Sequence, residues 1–387
     1  MGPQTQIGAA IDGRMLGAPA TGVATYAHAL LAALDMANSD PRVVSDRSSG
    51  NGLVTAGRIE RWNRWLDVRC TRIRRLKSRN NGLWYRDIFR LAHVHFDTHR
   101  TLLALRPPVR PPRIMHWTYP IAARIEGWIN LYTIHDLIPI ERPDLSPIDG
   151  VRLEAMIRAI ADSGGHFMTV SEASRASLRQ LLGPRVPVHV CTTGIDLTSA
   201  AHGGPSPIPA DSFIAIGSVE PRKNIERLVD AWAASGARRP LAIVGPTGWR
   251  GEAIEHHLAR TQGIIRIPYI EREDLLSALA SARALLFPSL AEGFGLPIIE
   301  AMALGTPVMT SAEGATAEIM GGAGLGVNPV DPLSITMAIT RLDDDDELCG
   351  SLAAAGLARS HDFTIEAFAG RLREVHAAIA RDSAWRT

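Results

Sequence analysis

The sequence contains few cysteines, only two lysines and no long apolar run. Its three cysteines, Cys70, Cys191 and Cys349, are widely separated and odd in number, which excludes a disulfide framework and a CxxC metal site. No window approaches the roughly 18 uninterrupted apolar residues that a spanning helix needs, and the first residues lack the basic and then apolar order of a signal peptide. We therefore expect a cytoplasmic protein without a metal site.

Length and composition indicate about two folded domains. The chain has 387 residues, of which 46% are hydrophobic and 21% charged, as is ordinary for a protein with sizeable cores. An apolar strand, a glycine turn and an amphipathic helix follow one another at Ile7–Leu34 and again at Phe213–Trp232, a pattern typical of doubly wound α/β sheets. A Gly/Pro/Ser-rich stretch separates the two. We predict Rossmann-like domains at 1–200 and 201–363, facing each other across a cleft, and a C-terminal helix at 364–387 that is free to pack back on the first domain.

The segment from Leu285 to Ser311 predicts a strand, a loop, a helix and a second strand. Its helix should run from about Leu296 to Leu304, because a proline suits the first turn and a glycine suits the end. Amides at a helix N-terminus and the helix dipole favour an anion such as phosphate. The amides predicted to bind it belong to Phe294, Gly295 and Leu296.

Two glutamates of this segment face the same predicted ligand region. Glu292 lies in the loop and Glu300 in the helix. A carboxylate beside a phosphate is unfavourable unless it accepts hydrogen bonds, and sugar or ribose hydroxyls are suitable donors. The alternative is an acidic helix start and a solvated loop residue without a ligand.

Basic residues precede a helix that should start near Ile225. Arg222 and Lys223 place two cations where a helix N-terminus already attracts anions. Only two of the 41 basic residues are lysines, and a lysine offers a compact charge for a phosphate. A solvated helix start is the alternative.

A histidine follows the predicted strand that contains the sequence LYTI. His135 and Asp136 should therefore lie at the cleft, where a neutral imidazole could donate a hydrogen bond near a reacting centre. For a single His-Asp pair, a structural histidine with satisfied hydrogen bonds is the alternative.

Charge is unevenly distributed along the chain. Residues 1–200 hold 25 basic and 17 acidic side chains, a balance of +8, and residues 201–387 hold 16 and 23, a balance of −7, which sum to the net +1. The basic excess lies mainly at 54–113, where arginines between 58 and 79 alternate with tryptophans, a mixture suited to an anionic membrane surface. A solvated helical face is the alternative, and nucleic acid is disfavoured because no binding motif accompanies the arginines.

Five motifs together resemble the retaining glycosyltransferases of family 4, which have the GT-B fold. They are GVATYAHALL, TIHDL, TVSEASR, EPRKN and EGFGLPIIE, in the order of that family and across nearly the whole chain. The resemblance implies a nucleotide-sugar donor in the second domain, no cofactor and no metal. It implies contacts of Glu292 with the transferred sugar, Glu300 with the ribose, Arg222 and Lys223 with the diphosphate, His135 with the region of the reacting carbon, and an open first loop at Gly22.

A finer resemblance concerns residues 116–144, which are similar to bacterial exopolysaccharide mannosyltransferases. That similarity implies GDP-mannose as donor and a polyprenyl diphosphate-linked oligosaccharide as acceptor, and a lipid-linked acceptor would suit peripheral contact of 54–113 with the membrane. One departure is Ser218, which follows Gly217 where many members of the family have an arginine. We expect Arg222 to supply that charge.

Other functions remain as alternatives. A nucleotide-sugar epimerase shares the architecture, and a non-catalytic protein would bind a nucleotide sugar without turnover. A phosphorylase would need a pyridoxal lysine that the two lysines do not suit, and a nicotinamide oxidoreductase would need a GxGxxG motif that the first loop does not match. The acidic run from Asp343 to Asp346 is predicted to be a solvated loop rather than a metal site.

Overall fold

A computed structural model of the chain describes residues 8–17, 21–46, 74–79, 82–108, 113–196 and 206–382. Most of the predicted membrane-contacting arginines, between 58 and 73, lie outside these residues. Among the described residues the strands are β1 (Ala9–Asp12), β2 (Arg42–Ser45), β3 (Arg74–Arg75), β4 (Lys77–Arg79), β5 (Gly82–Trp84), β6 (Leu103–Arg106), β7 (Ile114–Trp117), β8 (Ala123–Ile125), β9 (Ile129–Ile134), β10 (His166–Thr169), β11 (Val188–Val190), β12 (Phe213–Ile216), β13 (Leu241–Val244), β14 (Ile264–Ile267), β15 (Ala284–Phe287), β16 (Val308–Ser311) and β17 (Leu325–Val327).

The α-helices of the described residues are α1 (Gly22–Met36), α2 (Ile88–His99), α3 (Ile138–Glu141), α4 (Gly150–Asp162), α5 (Glu172–Leu182), α6 (Ile225–Ser235), α7 (Glu252–Arg260), α8 (Arg272–Ala280), α9 (Leu296–Ala303), α10 (Gly314–Met320), α11 (Pro332–Asp344), α12 (Asp346–Ser360) and α13 (Ile365–Asp382). Short 3-10 helices lie at Met15–Gly17, Pro143–Leu145, Pro221–Lys223 and His361–Phe363. None of the helices described here is long and apolar enough to cross a membrane.

Two large sheets organise the described part of the chain. The first has the order β11-β10-β9-β7-β1-β2-β5-β4, and within the described residues only β4 runs antiparallel to its neighbour. The second, β14-β13-β12-β15-β16-β17, is parallel throughout. A small parallel sheet, β3-β6-β8, accompanies the first. The predicted α/β class with two doubly wound sheets is confirmed.

The order of the strands locates the ligand-binding edge of each sheet. The order in which successive strands are added reverses between β1 and β7 in the first sheet and between β12 and β15 in the second. Ligands of open α/β sheets bind outside the carboxyl ends of the strands at such switch points. Strands β13 and β15 are buried along their whole length, as expected where helices cover both faces of a parallel sheet.

The last helix, α13, packs on the first half of the chain. Phe368 contacts Tyr26 of α1 with ring centroids 6.2 Å apart, and His376 Nε2 lies 2.8 Å from His116 Nε2 in β7. The Arg371 side chain donates to the carbonyl of Thr192 at 3.1 Å. Helix α13 therefore tethers the end of the chain to the first sheet.

The prediction of a solvated loop from Asp343 to Asp346 was wrong for Asp343, whereas Asp344, Asp345 and Asp346 are exposed. Asp343 belongs to α11 and is buried, with Oδ1 2.9 Å from Arg239 Nη1. Asp345 caps α12 by accepting the amide of Leu348 at 2.8 Å. These carboxylates join two helices and neutralise a half-buried arginine.

Candidate functional site

A cluster of charges lies at the switch point of the second sheet. Lys223 Nζ and Arg222 Nη1, from the loop after β12, each lie 2.6 Å from one oxygen of Glu292, which follows β15. Arg222 Nη2 also lies 2.7 Å from Glu220 Oε1. The structure thus brings together the three charged residues that the sequence predicted here and adds Glu220, which the sequence reasoning missed.

Local backbone geometry explains why Lys223 reaches Glu292. Gly217, with φ at +140°, leaves room for the lysine, because a Cβ there would lie 2.9 Å from Lys223 Cε. The ammonium then lies 4.5 Å from the centroid of the Phe287 ring, a favourable cation–π geometry. Asn224 ends the 3-10 turn in the left-handed region, and its amide nitrogen donates to the carbonyls of Pro288 and Pro329.

Burial and pairing determine the protonation of this cluster. Burial raises the pKa of Glu292, but the charges of Lys223 and Arg222 outweigh it, and the pKa is lowered overall. Burial also lowers the pKa of Lys223, and Glu292 offsets only part of that effect. For Arg222, burial acts against the charge, yet Glu292 and Glu220 raise its pKa. Pairing therefore favours the ionised forms of Glu292 and Arg222, and for Lys223 the contact with Glu292 opposes the effect of burial.

Two helix N-termini converge beside the cluster. Helix α9 begins at Leu296, as predicted, after Gly295 with φ at +126°, a conformation that favours glycine. Helix α1 begins at Gly22, and a Cβ on that residue would lie 3.9 Å from Leu296 Cδ1. The first-turn amides of both helices lack intrahelical acceptors, so their convergence creates a region suited to an anion. The side chain of Phe294 is buried against Phe363, so only the backbone amide of this residue is available to the anion-binding region.

His135 connects the first half of the chain to this region. Its Nε2 donates to the carbonyl of Thr118 at 2.8 Å, and burial lowers the pKa of the imidazole, which is therefore neutral. Its own carbonyl accepts the Ser174 hydroxyl at 2.8 Å. A Cβ at Gly293 would lie 2.3 Å from that same carbonyl oxygen, so only glycine allows the loop of Glu292 to approach. Asp136, the other predicted member of the pair, accepts the amide of Ile138, the first residue of α3, at 3.0 Å.

Asp12 lies at the switch point of the first sheet and was not predicted as a site residue. It ends β1, is fully buried, and accepts the amide of Thr118 at 2.5 Å through Oδ2. Its Oδ1 has no hydrogen-bond partner within the described residues. Burial raises its pKa to about 6. Its position after the first strand was the only available signal, and the contact with Thr118 spans 106 residues.

Glu300 is buried in α9 and is paired with an arginine that the sequence reasoning also missed. Arg272 Nη2, at the start of α8, lies 2.7 Å from Glu300 Oε1. The predicted hydroxyl-binding carboxylate is therefore held in place by a neighbouring charge.

Direct contacts also join the two halves of the chain beside the loop of Glu292. The Ser171 hydroxyl donates to the carbonyl of Gly293 at 2.9 Å. The carboxylate of Glu318 in α10 accepts the amide of Glu172 at 2.8 Å and that of Ala173 at 3.2 Å, at the N-terminus of α5. The second half thus caps a helix of the first half.

In the described part of the basic segment, some basic side chains are buried and others are exposed. Arg74 is buried and donates to the Tyr85 hydroxyl at 3.3 Å, so it is not available to a membrane surface. Lys77 is exposed and lies over the ring of Trp84 at 5.7 Å.

Residues 210–345 match the family model described as glycosyl transferases group 1. O-antigen chain mannosyltransferase B of Escherichia coli is 32% identical over 252 residues, which cover 60% of this chain and 66% of that protein. MMP alpha-(1->4)-mannosyltransferase of Mycolicibacterium hassiacum is 31% identical over 242 residues, covering 59% of this chain and 58% of that protein. Each match spans less than two thirds of the relative's length.

Solved structures resemble the chain over almost its whole length. Sucrose-phosphate synthase from Thermosynechococcus elongatus has a TM-score of 0.69 at 18% identity, covering 97% of this chain and all of that one. A trehalose-6-phosphate enzyme of Escherichia coli bound with UDP-2-fluoro glucose has a TM-score of 0.65 at 13% identity, covering 95% and 98%. The chain therefore has the GT-B fold of glycosyltransferases. Its residues 210–345 form a glycosyl transferases group 1 domain.

Proposed function

We propose that this protein is a retaining mannosyltransferase that moves mannose from GDP-mannose to a glycan acceptor during bacterial surface polysaccharide synthesis. Two relatives with more than 30% identity are named mannosyltransferases, one of them for O-antigen chains. The observation that carries the proposal is the pair of cations, Arg222 and Lys223, held on Glu292 beside two converging helix N-termini. That arrangement suits a sugar joined to a diphosphate.

The donor would lie across the second half of the site. Its diphosphate would bind Arg222, Lys223 and the amides of residues 294–296, while the absence of a side chain at Gly22 leaves space for it. Glu292 would accept hydrogen bonds from the sugar hydroxyls, and Glu300 from those of the ribose. Carboxylates are strong acceptors for hydroxyl donors in a partly dehydrated site.

The chemistry needs charge stabilisation more than a reactive side chain. Breaking the bond between the sugar and the diphosphate places negative charge on the leaving oxygen. Preorganised cations and helix amides stabilise such charge without a metal ion or another cofactor, because they need no reorganisation during the reaction. The neutral imidazole of His135 lies where the loop of Glu292 meets the first half, and it would contact the reacting sugar.

The acceptor would bind in the first half of the chain. A polyprenyl diphosphate-linked oligosaccharide would present its hydroxyl at the carboxyl ends of β1 and β7, and segment 54–113 would contact the inner face of the cytoplasmic membrane peripherally. This part of the proposal rests on the charge pattern and the family resemblance.

The test is transfer from labelled GDP-mannose, measured with and without a lipid-linked oligosaccharide acceptor. We expect acceptor-dependent release of GDP and an α-linked product. The anomeric configuration would be identified by the one-bond NMR coupling between the anomeric carbon and its proton. Conversion of the donor without an acceptor would indicate an epimerase instead. Donor binding without turnover would indicate a non-catalytic binding protein, and either outcome would refute the proposal.

A further inference from the structure

Arg272 covers the buried carboxylate that the proposed function assigns to the donor ribose. Its guanidinium lies 2.7 Å from Glu300 Oε1. The side chain of Glu300 is only 4% exposed, whereas that of Arg272 is 38% exposed. The arginine is thus the accessible half of the pair, and a ligand that reaches Glu300 must also lie against Arg272.

The topology of the second sheet gives the direction in which a nucleotide would extend. Lys223 follows β12 and Glu292 follows β15, so the diphosphate would lie between those strands. Arg272 follows β14, which is the edge strand on the side of β12. A nucleotide donor presents diphosphate, ribose and base in that order. With the ribose at Glu300, the base lies beside Arg272.

We propose that Arg272 reads the base of the donor and selects guanine. A guanidinium carries five N–H donors in a planar fork, and Glu300 is bound through one of its terminal nitrogens. Guanine presents two adjacent acceptors, O6 and N7, which match such a fork. Adenine places an amino donor beside N7, and uracil places a ring N–H beside O4, so neither offers the paired acceptors.

This inference rests on the proposed function and assigns the selection of the donor base to one side chain, that of Arg272. The experiment is calorimetric titration of GDP, UDP and ADP into the full chain and into Arg272→Lys and Arg272→Ala. We expect wild type to bind GDP about 10- to 100-fold more tightly than UDP or ADP. In Arg272→Lys a cation still neutralises Glu300 but the fork is lost, so this preference should fall to within about threefold, with UDP affinity little changed.

A matched control comes from a second arginine that neutralises an equally buried carboxylate. Arg239 lies 2.9 Å from Asp343, which is also 4% exposed, but it precedes β13 and so lies at the amino ends of the strands, whereas Arg272 follows the carboxyl end of β14. Arg239→Lys should retain the preference for GDP. Circular dichroism melts of all variants would identify losses that come from unfolding.

Three outcomes would overturn the inference. An equal loss of GDP, UDP and ADP affinity in Arg272→Lys would mean that the arginine only holds Glu300. Wild-type binding without a preference for GDP, or an unchanged preference in both Arg272 variants, would exclude base reading while leaving the proposed function intact. Failure of wild type to bind any of the three nucleotides would refute the proposed function as well.

Discussion

Replacing Asp12 by asparagine should stabilise the protein at neutral and alkaline pH. Burial raises the pKa of this carboxyl from 3.8 to about 6, so its ionised form is unfavourable in the folded state. The shift of about 2 pH units corresponds to about 3 kcal/mol at 1.36 kcal/mol per unit. Because the folded-state pKa is the higher one, the contribution of Asp12 is most favourable below pH 3.8 and is lost as the pH rises through 6.

Asparagine preserves the shape and can still accept the amide of Thr118 through its oxygen. Urea unfolding from pH 4 to pH 8 should therefore show Asp12→Asn gaining up to about 3 kcal/mol over wild type above pH 6, with the two proteins converging near pH 4. Asp35→Asn, at an exposed position of α1, should change the free energy of unfolding little at any of these pH values. A variant that is less stable than wild type at pH 8, or a difference that does not vary with pH, would refute the reasoning.

The remaining predictions concern transfer and membrane contact. Lys223→Ala and Glu292→Ala should each lower transfer about a hundredfold or more while leaving the fold intact, and rates near wild type would contradict their assigned roles. A chelator should leave activity unchanged, and activity that is abolished and then restored by Mg²⁺ or Mn²⁺ would contradict a metal-independent reaction. Gly293→Ala would place a methyl group 2.3 Å from a backbone oxygen of the first half and should lower kcat by about a hundredfold, whereas Gly350→Ala meets open space and should not. Replacing several arginines at 58–79 should weaken binding to anionic vesicles in a salt-sensitive manner, and binding that is unaltered or independent of salt would exclude the membrane contact.

The sequence predicted the architecture because local patterns encode it. Alternating apolar strands, glycine turns and amphipathic helices recur in order, and the start of α9 at Leu296 follows from a proline in its first turn. The residues that follow the carboxyl ends of the predicted strands were then expected to meet at the same edge of the sheet. Arg222, Lys223 and Glu292 converge for this reason, although 69 residues separate the lysine from the glutamate.

Local sequence patterns did not predict the contacts between distant segments of the chain. Nothing near Arg272 in the chain indicates that it pairs with Glu300. The burial of Asp343 was missed because a run of acids normally favours solvent, whereas here an arginine from another loop neutralises it. Asp12 was missed because burial raises its pKa only in the folded chain. Long-range electrostatic partners depend on the tertiary arrangement, which no local sequence period encodes.

The charge balance of the site suggests how donor binding and the ion pairs are linked. Glu220, Arg222, Lys223 and Glu292 together carry no net formal charge, so the cations are already neutralised in the structure. A diphosphate that bound such a cluster would compete with Glu292 for Arg222 and Lys223, since a buried charge without a partner is costly. Release of Glu292 from the cations would free its oxygens for the sugar hydroxyls at the moment that the phosphates arrive. Glu292→Gln should therefore bind GDP at least as tightly as wild type, because the competing charge is gone, yet bind GDP-mannose with no added affinity from the sugar. Calorimetry of both ligands would test this exchange, and a Glu292→Gln variant that bound GDP more weakly than wild type would exclude it.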